Sequence, residues 1–139
     1  MSTPLIAFID SGIGGLPYMD WVRRKRPNYS FLYVADTAHF PYGTKSEEDL
    51  LHTVENLTSQ IISRYKPNFI VLACNTASVV SLEHLRKKFK IAFVRVVPAI
   101  KPAAAESGSR SIIVLSTERT AEHDYLDRLI SEHAQGVEV

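Results

Sequence analysis

The single cysteine of the chain, Cys74, lies in the segment VLACNTAS (71–78), where an apolar run becomes polar within one residue. The apolar run is typical of a buried strand, and the polar residues after it are typical of a helix start. The amides and dipole of a helix N-terminus favour an anion, so a thiolate at Cys74 could act as a base, a nucleophile or a metal ligand. A lone cysteine is, however, more often a small buried apolar residue.

The rest of the sequence favours the base among these roles. The histidines are dispersed and have no metal-ligand spacing with Cys74, which disfavours a metal site. Nucleophilic catalysis usually needs a nearby histidine, and no predicted strand end supplies one. A base needs only the thiolate and a substrate placed against it.

Apolar runs alternate with helical patterns along the whole chain. This order predicts an α/β fold, a doubly wound parallel sheet with helices on both faces. Ser46, with Asp49 three residues later, resembles a capping box at the start of the clearest helix. The predicted strands are Leu5–Ile9, Phe31–Ala35, Phe69–Ala73, Ile91–Val97 and Ser111–Leu115. The other predicted helices are Leu16–Arg26, Ala77–Lys88, Pro98–Glu106 and Arg119–His133.

Small polar residues follow four of the predicted strands. Ligands of such sheets bind beyond the carboxyl ends of the strands, so these residues are expected to converge on a site for a small polar ligand. Any one of them could instead be only a helix cap. The residues are Asp10 and Ser11, Asp36 and Thr37, Cys74 with Asn75 and Thr76, and Ser116 with Thr117.

A glycine-rich turn after the first predicted strand raises the alternative of a dinucleotide site. Gly12, Gly14 and Gly15 precede a helix, and Asp36 ends the second strand. The third glycine of the motif would fall at Pro17, and Asp10 would place a negative charge beside the pyrophosphate. The sequence therefore disfavours a dinucleotide.

Composition limits the class of protein. The chain has 139 residues, 45% hydrophobic and 22% charged, as expected for a globular protein with a core of its own. The formal net charge of +1 gives no reason to expect nucleic acid or a membrane as a partner. A single cysteine, no signal-peptide pattern and no long apolar stretch predict a cytoplasmic protein.

Three blocks carry a resemblance to a known family. FIDSGIGGL (8–16), VADTAHFPYGTKS (34–46) and VLACNTAS (71–78) together resemble the glutamate racemases of the aspartate/glutamate racemase superfamily. VVPAIKPA (96–103) and STERT (116–120) also match segments of that family. The resemblance covers the chain from about Leu5 to about Tyr125.

The resemblance implies racemisation of glutamate, which supplies D-glutamate for peptidoglycan, without pyridoxal phosphate or metal. In that family two cysteines face opposite sides of the substrate Cα, one removing a proton and the other returning one. Carried over by motif, Cys74 would be one of the two thiols, and Asp10 would assist the proton transfer. The substrate-binding residues implied are Asp10, Ser11, Pro41, Tyr42, Gly43, Asn75, Thr76, Thr117 and Thr120. His39 and Asp36 are not assigned a catalytic role.

The family resemblance also predicts how the chain is divided. Residues 1–97 would form most of a first α/β domain, and residues 98–139 the beginning of an incomplete second one. The family's second cysteine has no counterpart here, so we expect a truncated racemase, impaired on its own. We also expect exposed apolar faces near Leu126, Leu129 and Ile130, and self-association as a homo-oligomer. Aspartate racemase, or a non-catalytic module that binds an acidic amino acid, stays as an alternative.

Overall fold

The computed structural model describes residues 3–139, whose elements follow the predicted alternation of strands and helices. The strands are β1 (Leu5–Asp10), β2 (Ser30–Ala35), β3 (Phe69–Leu72) and β4 (Ala92–Arg95). The helices are α1 (Leu16–Lys25), α2 (Glu47–Tyr65), α3 (Asn75–Lys88), α4 (Ile100–Glu106), α5 (Glu118–Ala121) and α6 (Asp124–His133). Two short 3-10 turns, Thr37–His39 and Tyr42–Thr44, lie between β2 and α2.

The four strands form one parallel sheet in the order β2-β1-β3-β4. Because β1 and β3 are central, both of their faces must be covered, which explains their continuous apolar runs. The α/β fold class, a parallel sheet with helices on both faces, is confirmed. All carboxyl ends of the strands lie at one edge, which we call the carboxyl edge.

Helices cover the two faces of the sheet with separate apolar clusters. On one face, Phe8 packs with Met19 and Val22 of α1. On the other face, Ile9 and Leu72 pack with residues of α2 and α3, including Leu50. The predicted cap of α2 is confirmed, because the Ser46 hydroxyl accepts a hydrogen bond from the Asp49 amide at 3.1 Å.

The fifth predicted strand, Ser111–Leu115, is wrong. Only Ser111 makes a β-bridge, to Glu138, and the amide of Ile112 donates to the Glu138 carbonyl at 2.8 Å. The alternating pattern is still visible, because Ile112 and Val114 pack inward while Ile113 and Leu115 are 88% and 94% exposed. Within residues 3–139 the segment lacks a neighbouring strand to pair with along its length, and an extended run without such pairing is no strand.

The last predicted helix is divided in two. His123 has an extended backbone conformation, and its Nδ1 accepts a hydrogen bond from the Tyr125 amide at 3.1 Å. The helix α5 ends at Ala121 and this side-chain cap starts α6, so the single run Arg119–His133 is wrong in its continuity.

The expected exposure near Leu126 is also wrong. Leu126 is buried, and Leu129 and Ile130 pack with it against Ile100, in a third apolar cluster formed entirely by residues 100–137. An amphipathic helix buries its apolar face wherever a partner is available, and here α4 supplies one. Within residues 3–139, none of the helices has the length and apolar character that crossing a bilayer requires.

Candidate active site

Cys74 lies at the carboxyl edge, two residues after β3, and is the N-cap residue of α3. It is partly buried, and its Sγ lies 3.8 Å from the Oγ of Ser11, which follows β1. Because β1 and β3 are adjacent parallel strands, their ends bring these two side chains together. The helix starts at Asn75, two residues earlier than predicted, so the free amides of its first turn follow the thiol directly.

Asp10 is only 4% exposed, and the residues around it fix its carboxylate firmly. Its Oδ2 accepts hydrogen bonds from the Gly15 amide and from the Tyr33 hydroxyl, each at 2.8 Å. Burial and the hydrogen bond to Asp10 raise the pKa of Tyr33 well above its usual value, so the phenol stays protonated and donates. The glycine turn thus binds an anion of the protein itself.

Gly15 is required by this close packing. A Cβ at this position would lie 2.5 Å from the Cβ of Ala73 and 3.0 Å from the Tyr33 hydroxyl. Such distances are far below ordinary van der Waals contact, so only glycine lets α1 begin this close to β3. In the glycine-rich turn that the sequence disfavoured as a dinucleotide site, Gly15 lets the backbone approach Asp10 and Ala73 closely.

The FPYG segment (40–43) is anchored by Asp36, the residue directly after β2. The Tyr42 hydroxyl donates a 2.7 Å hydrogen bond to Oδ2 of Asp36, and His39 Nδ1 lies 2.8 Å from Oδ1. Burial and this hydrogen bond raise the pKa of Tyr42, so its phenol stays neutral. Because Tyr42 is buried and its hydroxyl is engaged by Asp36, its side chain supports the segment from within, while Pro41 is exposed.

Three threonine hydroxyls meet beside the start of α3. The Oγ1 of Thr117 lies 3.1 Å from that of Thr76 and 3.1 Å from that of Thr120, and Thr120 donates to Thr76 at 3.4 Å. Thr76 and Thr120 are buried, whereas Thr117 is exposed. The sequence predicted Thr117 at the carboxyl edge because it would follow a fifth strand. That strand does not form, and Thr117 is instead the N-cap residue of α5.

The FPYG segment contacts this threonine cluster. A Cβ on Gly43 would lie 2.5 Å from Cγ2 of Thr117, so the backbone of the segment touches that side chain. The Nε of Arg119, in α5, donates a hydrogen bond to the Lys45 carbonyl at 3.2 Å, two residues after Gly43. These two contacts join the first part of the chain to α5.

A cavity of about 710 Å³ opens next to these residues. Five of the residues predicted for the site line it, and the remainder of its wall is mostly apolar, including the exposed Ile113 and Leu115. Cys74, Asp10 and Tyr42 do not line this cavity. The five lining residues are Asn75, Thr76, Ser116, Thr117 and Thr120.

The sequence did not predict the role of Tyr33, which holds the Asp10 carboxylate, and it placed Asp36 only among the polar residues that follow the strands. A phenol in the middle of an otherwise apolar strand, SFLYVA, was the signal for Tyr33, since a buried hydroxyl needs a partner. Among residues 3–139, no three histidine, cysteine or carboxylate side chains gather as a metal site would require.

Comparisons with known proteins agree with this arrangement. The sequence profile of the Asp/Glu/Hydantoin racemase family matches residues 20–139. The glutamate racemase of Granulibacter bethesdensis is 45% identical over 131 residues, which are 94% of this chain and 48% of that protein. The glutamate racemase of Shewanella oneidensis is 44% identical over all 139 residues, which are 50% of its length. The chain therefore spans about half the length of the curated relatives it matches.

Solved structures give the same result. The crystal structure of Escherichia coli glutamate racemase, in complex with L-glutamate and the activator UDP-MurNAc-Ala, superposes with a TM-score of 0.92 and is 39% identical. The alignment covers 99% of this chain and 52% of that one. Glutamate racemase from Aquifex pyrophilus has a TM-score of 0.83 at 30% identity, covering 93% and 51%. The chain belongs to the Asp/Glu/Hydantoin racemase family.

Proposed function

We propose that this chain is part of a glutamate racemase, in which Cys74 exchanges the proton at the substrate Cα. The single observation that carries the proposal is the partly buried thiol at the N-terminus of α3, 3.8 Å from the Ser11 hydroxyl. The names of the relatives at 44–45% identity support glutamate as the substrate.

In the proposed step, the Cys74 thiolate removes the Cα proton of glutamate. The C–H bond breaks, an S–H bond forms, and the electron pair stays on the substrate as a carbanion conjugated with the carboxylate. Without an electron sink, that charge must be stabilised by fixed donors. The free amides at the start of α3 and the hydroxyls of Thr76 and Thr117 are donors of the right kind, and the helix N-terminus favours a carboxylate.

The proposed binding set is the one that the family motif implies. Ser11, Asn75 and Thr76 lie beside the thiol, and Thr117 with Thr120 extends the hydroxyl cluster. Pro41 and Gly43 would contribute through the backbone of the FPYG segment. Tyr42 supports that segment, since its own hydroxyl is bound to Asp36. Asp10 would act next to the thiol, in the position where Tyr33 and Gly15 hold it.

We also propose that residues 1–97 and 98–139 belong to two domains, with the substrate held where they meet. The third apolar cluster, built only from residues of 100–137, supports this division. The chain has one cysteine, so it offers a thiol to one face of the substrate. Proton exchange without inversion is therefore the activity expected of these 139 residues.

The substrate is tested by incubating the chain in heavy water with L-glutamate, D-glutamate and L-aspartate in separate samples. NMR follows the α-proton, and chiral chromatography follows the configuration. We expect loss of the α-proton from one glutamate enantiomer, with retention of configuration and no reaction with L-aspartate. Exchange of L-aspartate at a similar rate would overturn the substrate, and inversion of glutamate would overturn the single-thiol scheme.

A further inference from the structure

The Tyr33 hydroxyl lies at the centre of a small hydrogen-bond network at the end of β1. Its oxygen is 2.8 Å from Oδ2 of Asp10, 3.2 Å from the Gly12 carbonyl oxygen and 3.1 Å from the Gly15 amide nitrogen. The amide can only donate, whereas the carbonyl and an ionised carboxylate can only accept. The single hydrogen of the phenol therefore has two competing acceptors, Asp10 and the Gly12 carbonyl.

Packing holds the phenol oxygen in this position. The Tyr33 ring lies in the apolar cluster that α1 forms on one face of the sheet, with Phe8 and Met19. The absence of a side chain at Gly15 leaves room for the hydroxyl, since a Cβ there would come within 3.0 Å of the phenol oxygen. The hydroxyl hydrogen can turn about the C–O bond while the ring stays fixed, so a change of acceptor requires only this hydrogen to move.

The network has a suitable arrangement for either protonation state of Asp10. When the carboxylate is charged, its Oδ2 accepts from the Tyr33 hydroxyl and from the Gly15 amide. Oδ1 has no hydrogen bond from the part of the chain that the structure describes, so it is the oxygen free to bind a proton. With a proton on Oδ1, Oδ2 becomes a weaker, uncharged acceptor, and the phenol can donate to the Gly12 carbonyl instead. Asp10 and the phenol keep a partner in both states, which avoids the cost of an unpaired buried group.

We propose that Tyr33 is a positioning residue for proton transfer at Asp10, and that its hydroxyl hydrogen turns from Asp10 to the Gly12 carbonyl when Asp10 gains a proton. The inference rests on the function proposed above, in which Asp10 acts next to the Cys74 thiol. In that step a proton leaves the thiol and binds to Asp10, so a thiol and a carboxylate become a thiolate and a neutral carboxyl group. A carboxylate held by one oxygen and free at the other can take up the proton while the heavy atoms around it stay in place, and such preorganisation lowers the barrier.

The first test compares α-proton exchange of glutamate in heavy water between the parent and Tyr33→Phe over a range of glutamate concentrations. We expect kcat for exchange to fall by about tenfold, the effect of losing one hydrogen bond to a charged group. KM should change by less than about twofold, because Tyr33 does not line the cavity beside the threonine cluster and acts through Asp10. A rise in KM with kcat unchanged would overturn the proposal.

Tyr29→Phe is the matched control for this comparison. Tyr29 packs in the same apolar cluster as Tyr33, and its hydroxyl forms no hydrogen bond among residues 3–139. We expect this variant to exchange the α-proton as the parent does, and circular dichroism checks the fold of each protein. An equal loss of kcat in Tyr29→Phe and Tyr33→Phe would overturn the proposal, because it would show a general effect of the cluster.

A spectroscopic test needs no catalysis and so separates this inference from the proposed function. In protein labelled with carbon-13 at Cζ of tyrosine, the Tyr33 resonance is identified by its loss in Tyr33→Phe. Asp10→Asn, or acidification of the parent where that variant does not fold, removes the charge of the acceptor. We then expect the Tyr33 resonance to move upfield while that of Tyr29 stays in place.

The two measurements distinguish the possible failures. A Tyr33 resonance that does not respond to loss of the Asp10 charge would overturn the role of Tyr33, even where the parent exchanges the α-proton of glutamate. A resonance that moves as expected, in a parent that exchanges no α-proton, would support the network around Tyr33 and overturn the proposed function.

Discussion

The Tyr33 hydroxyl donates a 2.8 Å hydrogen bond to Oδ2 of Asp10, the residue that ends β1. The two residues are on adjacent strands, and the register places Tyr33 opposite Phe8, two residues before Asp10. A phenol that stays protonated therefore fixes a buried carboxylate beside the proposed site. The orientation of the Asp10 carboxylate therefore depends on a residue of the neighbouring strand.

Removal of the Tyr33 hydroxyl should destabilise the fold. In Tyr33→Phe the buried Asp10 carboxylate keeps, among the partners within residues 3–139, only the Gly15 amide, so we expect the free energy of unfolding to fall by about 1–3 kcal/mol. Urea denaturation measures this loss. Tyr29→Phe is the control, since Tyr29 packs in the same apolar cluster and its hydroxyl has no hydrogen bond among residues 3–139. Equal stability of the two variants would contradict the role of Tyr33.

Asp36 and Tyr42 should be energetically coupled. The Tyr42 hydroxyl donates to Asp36 at 2.7 Å in a buried setting, so a double-mutant cycle of Asp36→Asn and Tyr42→Phe should give about 1–2 kcal/mol of coupling. Urea denaturation of the four proteins supplies the cycle. Tyr42→Phe combined with Asp20→Asn, on α1 across the sheet, should be additive. Additivity of the Asp36 cycle would show that the hydrogen bond contributes nothing to stability.

Gly43 should tolerate no side chain. Its absent Cβ would lie 2.5 Å from Cγ2 and 2.6 Å from Cβ of Thr117, so Gly43→Ala must displace the FPYG segment or Thr117. We expect a loss of about 1–3 kcal/mol in the free energy of unfolding, typical of overpacking. Gly108→Ala is the control, because no atom of residues 3–139 lies within 4 Å of the Cβ it would gain. Denaturation curves that shift equally for both variants would rule out the contact.

The Glu55 side chain should make stability depend on pH. A hydrogen bond from Lys88, which has the larger effect, and one from His84 lower the pKa of Glu55 in the folded state below its unfolded value. Its contribution is therefore fully present above the unfolded pKa, about 4.3, and is lost as the pH falls through the lower folded pKa.

Glu55→Gln should accordingly flatten the curve of stability against pH below about pH 5. Thermal denaturation from pH 3 to pH 7 makes the comparison. Glu106→Gln, at an exposed residue that forms no ion pair among residues 3–139, should leave the curve unchanged. An identical slope for Glu55→Gln and the parent would show that the α2–α3 pairing is too weak to matter.

Exposed apolar side chains should promote self-association of the chain. Ile113 and Leu115 border the cavity beside the threonine cluster. Both are almost fully exposed, and such exposure is unusual for large apolar residues. We expect Ile113→Lys combined with Leu115→Lys to lower the apparent mass in size-exclusion chromatography with light scattering at high concentration. A monomer in both the parent and the variant would disprove association through this segment.

The sequence predicted the sheet well because β1 to β3 are continuous apolar runs bounded by polar residues, which is a local signal. It failed at Ser111–Leu115 because pairing is not local: the same alternation of apolar residues appears whether or not a neighbour strand lies beside it. Thr117 nevertheless lies beside Thr76, because it is the N-cap residue of α5. The support that Tyr33 gives to Asp10 depends on the register between β1 and β2, which composition and periodicity do not specify.

The role of Cys74 as a base is tested by the rate of α-proton exchange of glutamate in heavy water, compared between the parent and Cys74→Ser. Serine keeps the size of the side chain but is far too weak an acid to supply the base. We expect exchange of one glutamate enantiomer by the parent and a loss of at least about 100-fold in the variant, as for removal of a general base. Equal exchange rates in the two proteins, or no exchange by the parent, would contradict the role assigned to Cys74.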